Sequence, residues 1–152
     1  MQNEQAFNLA GRSVFIALPA YDFKVSLKLA ISLAQFAQQA QQHGVDIQIG
    51  SICGCSVVSR ARNLLAQDML DSDCTDLMFI DADIGWEPWH LLVLLNRDVD
   101  VIGGLYPMKT MPIKWVVNGF EGAEEGPDGL QEVSKAGTGF LLMKKHVFEK
   151  MN

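Results

Sequence analysis

Two carboxylates directly follow a short apolar run in the middle of the chain. In the stretch LMFIDADIGWEP, residues 77–80 lead into Asp81, Ala82 and Asp83. Side chains two positions apart on a strand share a face, and two like charges repel there unless water or a cation separates them. Carboxylate oxygens are the ligands that hard divalent cations prefer. The stretch therefore indicates either a metal site or an acidic turn at the end of a buried strand.

The spacing excludes a calcium loop of the EF-hand type. Such a loop needs a bidentate glutamate at its twelfth position. The twelfth residue counted from Asp81 is Leu92. A pair of carboxylates is weak evidence for a metal by itself, so its interpretation depends on where the fold places it.

A second group of polar side chains opens a predicted helix in SVVSRARNLLAQ. Arg60, Asn63 and Gln67 fall at helical spacing and share one face, with Arg62 beside them. The forked guanidinium of arginine suits a diphosphate. A solvated helix face is an equally good interpretation of these residues.

Three further stretches carry residues that could contact a ligand. Tyr21 could stack on a base and Asp22 could accept from a ribose, or both could form the loop before a helix. Trp86 and Trp89 could meet a sugar ring, although we expect one of the two in the core. The glycine-rich turn at 137–139 could let the backbone approach a ligand closely, or it could simply reverse the chain.

The hydrophobic pattern predicts strands that alternate with helices over the first two thirds of the chain. Strands are predicted at 13–18, 45–51, 76–80 and 99–106, and helices at 24–43, 56–70 and 88–96. This order favours an α/β fold with a parallel sheet between helices. The later stretches 114–118, 130–135 and 139–144 predict mixed or hairpin strands added to that sheet. A terminal helix is predicted from about Lys145.

In an open α/β sheet, ligands bind beyond the carboxyl ends of the parallel strands. The candidate stretches 19–22, 52–62 and 81–83 each follow a predicted strand. We therefore expect them to meet at one edge of the sheet. This placement favours a metal site over a simple turn at Asp81 and Asp83.

Composition narrows the class of protein. The chain has 152 residues, of which 49% are hydrophobic and 20% charged, and this fits one globular domain. A net charge of -6 argues against a broad electrostatic grip on nucleic acid. A small phosphate ligand stays compatible with it, because a divalent cation can lie between acid and phosphate.

The cysteines and the N-terminal residues bear on the compartment. Cys53, Cys55 and Cys74 form no disulfide framework, and the three histidines are too scattered to complete a zinc site with them. We see no signal peptide and no apolar run of the roughly 20 residues that a membrane helix needs. These features predict a soluble cytoplasmic protein that does not enter the membrane.

Four segments in order resemble glycosyltransferases of the GT-A fold and the family 2 type. The segments are SRARNLLAQDML, LMFIDADIGWEP, VDVIGGLYPMK and AGTGFLLMKKHVFEKM. They are most similar to short forms common in phages and other large DNA viruses, which implies the cytoplasm of a host cell. The resemblance covers about residues 14–151. It implies a single GT-A domain over residues 1–152, a Rossmann-like three-layer α/β/α sandwich with mixed strands in its C-terminal half.

The same resemblance implies a metal-dependent glycosyltransferase that takes a sugar from a UDP- or GDP-sugar, with Mn²⁺ or Mg²⁺, to an unknown acceptor. Asp83 would hold the metal, and Asp81 would contact the ribose or a metal-bound water. The implied nucleotide-sugar contacts are Pro19, Ala20, Tyr21, Asp22, Arg60, Arg62, Asn63, Asp81, Ala82 and Asp83. The implied donor or acceptor pocket is formed by Trp86, Gly137, Thr138 and Gly139.

The catalytic base has no clear counterpart in the sequence. Inverting members of the family use a carboxylate after the glycine-rich turn and the next helix. Here the chain ends at Asn152, as that helix begins, and Glu149 lies on the helix itself. The loop acids are Glu121, Glu124, Glu125 and Asp128, and nothing in the sequence directs them to the site. Either the C-terminal part of the fold is missing here, or this is a short form that binds a donor without turnover.

Two alternative functions remain open at this point. A non-catalytic module that binds a nucleotide or a glycan would need no base. A nucleotidyltransferase is less well supported, because LPAYDFK after the first strand is not a glycine-rich, basic phosphate loop. An exposed late edge of the sheet could also let the chain form a homo-oligomer.

Overall fold

The computed structural model describes residues 7, 9–107, 111–112, 117–119 and 125–151. The helices are α1 (Leu27–Gln42), α2 (Val58–Leu70), α3 (Pro88–Arg97) and α4 (Lys145–Glu149). The strands are β1 (Ser13–Ala20), β2 (Asp46–Cys53), β3 (Asp76–Ile80), β4 (Val101–Gly103), β5 (Val117–Gly119), β6 (Val133–Ala136) and β7 (Phe140–Lys144). The predicted alternation of strands and helices through β4 is confirmed.

Five strands form an open mixed sheet in the order β2-β1-β3-β7-β4. β1 runs parallel to β2 and β3. β7 runs antiparallel to both β3 and β4, so it is inserted between two strands of the same direction. The result is an α/β sheet compatible with a Rossmann-like arrangement.

The prediction that all the late strands join this sheet is wrong for two of them. β5 and β6 pair with each other in a separate two-stranded sheet, and only β7 enters the main sheet. β7 begins with three buried apolar residues, whereas β6 is mostly exposed. A strand needs apolar side chains on both faces to lie inside a sheet that is covered on both sides.

Helices cover both faces of the sheet. β3 is buried at every position, and alternate side chains of it point to opposite faces. Met78 and Ile80 belong to the core under α1 and α3, which includes Leu29, Phe36, Leu91 and Leu95. Leu77 and Phe79 belong to the core under α2, which includes Phe15, Ala17, Leu65 and Met69.

Two helices begin later than the sequence predicts. α1 starts at Leu27 rather than at residue 24, because Ser26 is its N-cap and accepts from Leu29 N at 3.1 Å. Ser26 N also donates to Ala82 O at 2.8 Å, which ties the start of α1 to the acidic turn after β3. α2 starts at Val58 rather than at residue 56. The helical spacing of apolar residues in the sequence also predicts that Ala37, Val57 and Leu64 are buried, but all three are exposed.

A charged network holds the opposite end of the sheet together. Asp76, at the start of β3, is fully buried and accepts from Arg12 Nε at 2.8 Å and Nη2 at 2.6 Å. Burial works against the charge of Arg12, but the hydrogen bonds and charge of Asp76 outweigh it and raise the pKa of the guanidinium. Arg12 also pairs with Asp98 at 2.8 Å. A hydrogen bond from Lys144 is the main reason that the pKa of Asp98 lies below its usual range.

This network predicts the effect of removing one partner of the buried pair. Asp76→Ala leaves the partly buried guanidinium of Arg12 without its main anion. We expect the free energy of unfolding to fall by about 3 kcal/mol, the low end for a broken buried pair, because Arg12 keeps Asp98. Urea denaturation followed by circular dichroism measures it. Asp73→Ala, at an exposed position nearby, should change it by less than about 0.5 kcal/mol. Equal losses of unfolding free energy in the two variants would contradict a stabilising role of the buried ion pair between Arg12 and Asp76.

Candidate functional site

A cavity of about 810 Å³ opens at the edge of the sheet where β1 and β3 end and β7 begins. Its lining comes from the end of β1 and the loop after it, the first turns of α2, the turn after β3, and the segments after β4 and before β7. The lining residues are Pro19, Asp22, Lys24, Val25, Ser26, Val58, Arg62, Asp81, Ala82, Asp83, Tyr106, Gly137 and Thr138. The three predicted stretches thus do meet at one edge.

The cavity separates the predicted site residues into two groups. Those that line it are Pro19, Asp22, Arg62, Asp81, Ala82, Asp83, Gly137 and Thr138. Those that are not among its lining residues are Ala20, Tyr21, Arg60, Asn63, Trp86 and Gly139. Ala20 is buried, whereas Tyr21, Arg60 and Asn63 are exposed. Arg62, rather than Arg60, is the arginine of α2 that reaches the cavity.

Trp86 lies in the core and not at the predicted pocket. Its side chain packs against Phe36 and Phe140, with ring centroids 5.3 and 5.6 Å away. Its backbone N–H donates to Ser32 Oγ at 3.0 Å. Trp89 is the exposed one of the two, with 53% of its surface accessible. The expectation that one tryptophan belongs to the core is confirmed, and the pocket position of Trp86 is corrected.

Asp81 is held in place by a charged side chain and by the backbone. Arg62 Nη2 donates to Asp81 Oδ1 at 2.6 Å, and the two side chains are 19% and 37% exposed. Asp81 N donates to Gly139 O at 3.0 Å, which continues the pairing of β3 with β7 by one residue. Arg62 Nε is buried and has no hydrogen-bond partner among the described residues. Arg62 therefore fixes one oxygen of Asp81 and keeps an unused donor.

Asp83 lies two residues further on, exposed, in the turn after β3. Ile84 N donates to Asp81 O at 3.1 Å and closes this turn. Both interpretations of the sequence thus share one structure, an acidic turn with two carboxylates at a cavity. Within the described ranges, no group of three or more histidine, cysteine, aspartate or glutamate side chains could cage a metal ion. The oxygen donors of Asp81 and Asp83 fit a hard divalent cation that takes its other ligands from a bound molecule and water.

The charges at the cavity also fit a bound cation. Asp22, Asp81 and Asp83 bring three carboxylates to its lining, against two cations from Lys24 and Arg62. Lys24 is exposed, and one oxygen of Asp81 already pairs with Arg62. An anionic ligand would meet repulsion here unless a cation came with it.

Tyr106 is the lining residue of most interest that the sequence did not indicate. Its hydroxyl accepts from Gly139 N at 3.0 Å. The predicted fourth strand included Tyr106, but β4 already ends at Gly103, so Tyr106 lies beyond the strand end. The rule that ligands bind past strand ends would have selected it had the boundary been read correctly. Lys24, Val25 and Ser26 were missed as well, because the sequence predicts a helix from residue 24 and not a loop after β1.

Gly139 explains why the turn before β7 contains glycine. A Cβ at this position would lie 2.7 Å from Tyr106 Oη and 2.8 Å from Asp81 Oδ2. Real side chains essentially never approach so closely, so the backbone of Gly139, the ring of Tyr106 and the carboxylate of Asp81 are packed around one point. Gly139 thus contributes to the site from behind the cavity lining.

No family model matches the chain, and no curated protein matches it. None of the helices in the described part is long and apolar enough to cross a membrane. The cavity and its residues are therefore the features of the chain that bear on its function.

The crowding at Gly139 predicts a selective effect of adding one methyl group. Gly139→Ala must displace Tyr106 or Asp81, and we expect it to lower the free energy of unfolding by about 1–3 kcal/mol. Gly103→Ala is the matched control, because its nearest contact would be an ordinary 3.5 Å. Thermal unfolding of both variants checks this. A Gly139→Ala variant as stable as Gly103→Ala would show that the site is not packed as described.

Proposed function

We propose that this chain binds a nucleotide-diphosphate sugar together with Mn²⁺ or Mg²⁺ and transfers the sugar to an acceptor, as a glycosyltransferase of the GT-A fold and the family 2 type. The observation that carries the proposal is the position of Asp81 and Asp83. Both lie directly after a fully buried strand and line a cavity that also receives Arg62. This is the placement that a cation-assisted diphosphate site requires.

The segments that carry the family resemblance give further support. Each of the four contributes to the lining of the same cavity, through Arg62 on α2, Asp81 after β3, Tyr106 after β4 and Thr138 before β7. The ends of neighbouring strands meet at one edge in any open α/β sheet, so this convergence supports a binding site at that edge. The chemistry of the site is carried by Asp81, Asp83 and Arg62.

Each lining residue has a part in this proposal. Asp81 and Asp83 would hold the divalent cation, which when bound neutralises charge on the diphosphate leaving group. Arg62 orients Asp81 through the 2.6 Å hydrogen bond, and its remaining donors can reach a phosphate oxygen. Lys24, which is exposed, adds a positive charge at the cavity. Asp22 takes the N–H of Lys24 at 3.3 Å and keeps acceptor capacity for a hydroxyl group of the nucleotide.

A second candidate, a donor-binding module without turnover, is favoured by the positions of the other acids. Of the predicted base candidates in the described residues, Glu125, Asp128 and Glu149 are not among the lining residues. Asp128 instead accepts from Leu130 N at 3.3 Å within its own turn. Glu121 and Glu124 lie outside the described residues. Transfer needs a base to take the acceptor proton, whereas donor binding does not.

The cation site is tested by one substitution. Asp83→Ala removes an exposed carboxylate from the cavity, so the fold should survive. We expect the affinity for UDP or GDP in the presence of Mn²⁺ to fall at least about tenfold, which corresponds to about 1.4 kcal/mol. Titration calorimetry with and without Mn²⁺ measures it, and Asp73→Ala is the control at the far end of the sheet. Unchanged Mn²⁺-dependent binding in Asp83→Ala would overturn the proposal.

Enzyme and binding module differ in what they do to a bound donor. A glycosyltransferase supplied with Mn²⁺ and no acceptor is expected to hydrolyse one member of a panel of nucleotide sugars slowly, with water as the acceptor. That hydrolysis should disappear in Asp83→Ala. Tight Mn²⁺-dependent binding of a donor without release of free sugar would instead identify the module. Chromatography of the released nucleotide distinguishes the two outcomes.

A further inference from the structure

β2 is the longer edge of the main sheet. It pairs with β1 along all eight of its residues, and among the described residues it has no other neighbour. No side chain of β2 is fully buried, whereas β1 is buried at nearly every position. One row of its backbone N–H and C=O groups is therefore left without a strand partner in the described chain. The other edge strand, β4, has only three residues.

The sequence of β2 lacks the features that usually protect an edge. Natural edge strands are short, bulged, or interrupted by proline and lysine. β2 reads DIQIGSIC, with no proline, no basic residue and a single charge at Asp46. Its pairing with β1 runs without a bulge. Ile49, near the middle of the strand, is 54% exposed.

The neighbouring helices leave this edge accessible. α2 packs on β1 and β2 and less on β3, and its Leu65 lies over Gly50 of β2. α1 packs on the other face together with α3, where Ile47 of β2 is half-buried. Side chains on both faces of β2 are nevertheless exposed, including Gln48 and Ile49, which are consecutive and point to opposite faces.

We propose that β2 pairs antiparallel with β2 of a second copy of this chain, which joins two sheets into one of ten strands. A two-fold axis normal to the sheet leaves the side chains of both copies on their original faces. Directly opposite residues of an antiparallel pair share a face, so the axis must lie between the two copies of one residue and not at a point between two consecutive residues. The central residues of the strand are Ile49 and Gly50. With the axis at either one, the two Ile49 side chains are direct or diagonal neighbours on the same face.

Charge favours the antiparallel orientation, and the matched length and exposed Ile49 of two identical strands favour a second copy over an unrelated peptide. Antiparallel self-pairing places the two Asp46 carboxylates about 20 Å or more apart, whereas parallel pairing would set them side by side. Two identical strands pair along their full length and bury the same exposed isoleucine from each side. The inference does not depend on the proposed function. The two cavities would lie at opposite ends of the joined sheet and stay open.

Analytical ultracentrifugation with a reducing agent tests the proposal, since Cys53 is exposed and free. The expected mass is twice the 16.8 kDa of one chain. Ile49→Lys places two ammonium groups at the axis and should weaken the dimer at least about tenfold. Ile31→Lys is the matched control, because Ile31 is 48% exposed on α1 and should leave the mass unchanged.

Hydrogen exchange on the unmodified chain gives a second readout that does not depend on how Ile49→Lys folds. Amides on the outer side of β2 should exchange more slowly as the protein concentration rises, while those of β4 should not change. The proposal is overturned by a mass of one chain at all concentrations, by assemblies larger than two, by an unweakened dimer in a folded Ile49→Lys variant, or by protection located outside β2.

Discussion

The arrangement of this protein depends on the complete burial of β3. Its five residues lie between β1 and β7 with helices on both faces, so no position along the strand is open to water. Charged groups can then follow only at its ends. Asp76 closes one end through a buried ion pair with Arg12, and the acidic turn with Asp81 and Asp83 occupies the other. The position of the cavity is thus set by where the apolar run of β3, residues 77–80, ends.

The sequence revealed the parts of the fold that local patterns determine. The apolar run before Asp81 gave the boundaries of β3, and helical periodicity located α2 and α3 to within a few residues. The insertion of β7 between β3 and β4, and the separate pairing of β5 with β6, were not readable, because strand order depends on long-range packing. The late start of α1 was not predicted for a similar reason. Its cap residue Ser26 is also held by the hydrogen bond that its backbone N–H donates to a distant turn.

The candidate site was likewise predictable where local patterns determine it and unpredictable where long-range packing does. The three stretches after predicted strands contain seven of its lining residues, because the edge of a parallel sheet follows from topology alone, and the glycine-rich turn supplies Gly137 and Thr138. Side-chain direction within a helix was harder to predict. Arg60 and Arg62 looked equivalent in sequence, but only Arg62 lies within reach of Asp81. Trp86 was misplaced because a large aromatic ring beside polar residues suits either a pocket or a core. The core contacts of Phe36 and Phe140 decided between them.

The hydrogen bond from Ser26 N to Ala82 O joins main chain to main chain. Its geometry does not require a particular side chain at position 82. The middle residue of the acidic turn can therefore be substituted while the turn keeps its distance from α1. Only proline at position 26 would delete the donor. Any side chain small enough to leave the cavity open at position 82 would then preserve the turn, whereas position 26 is restricted to a residue that can cap the helix. The distance between the acidic turn and α1 is thereby preserved when Ala82, the residue between the two acids, is substituted.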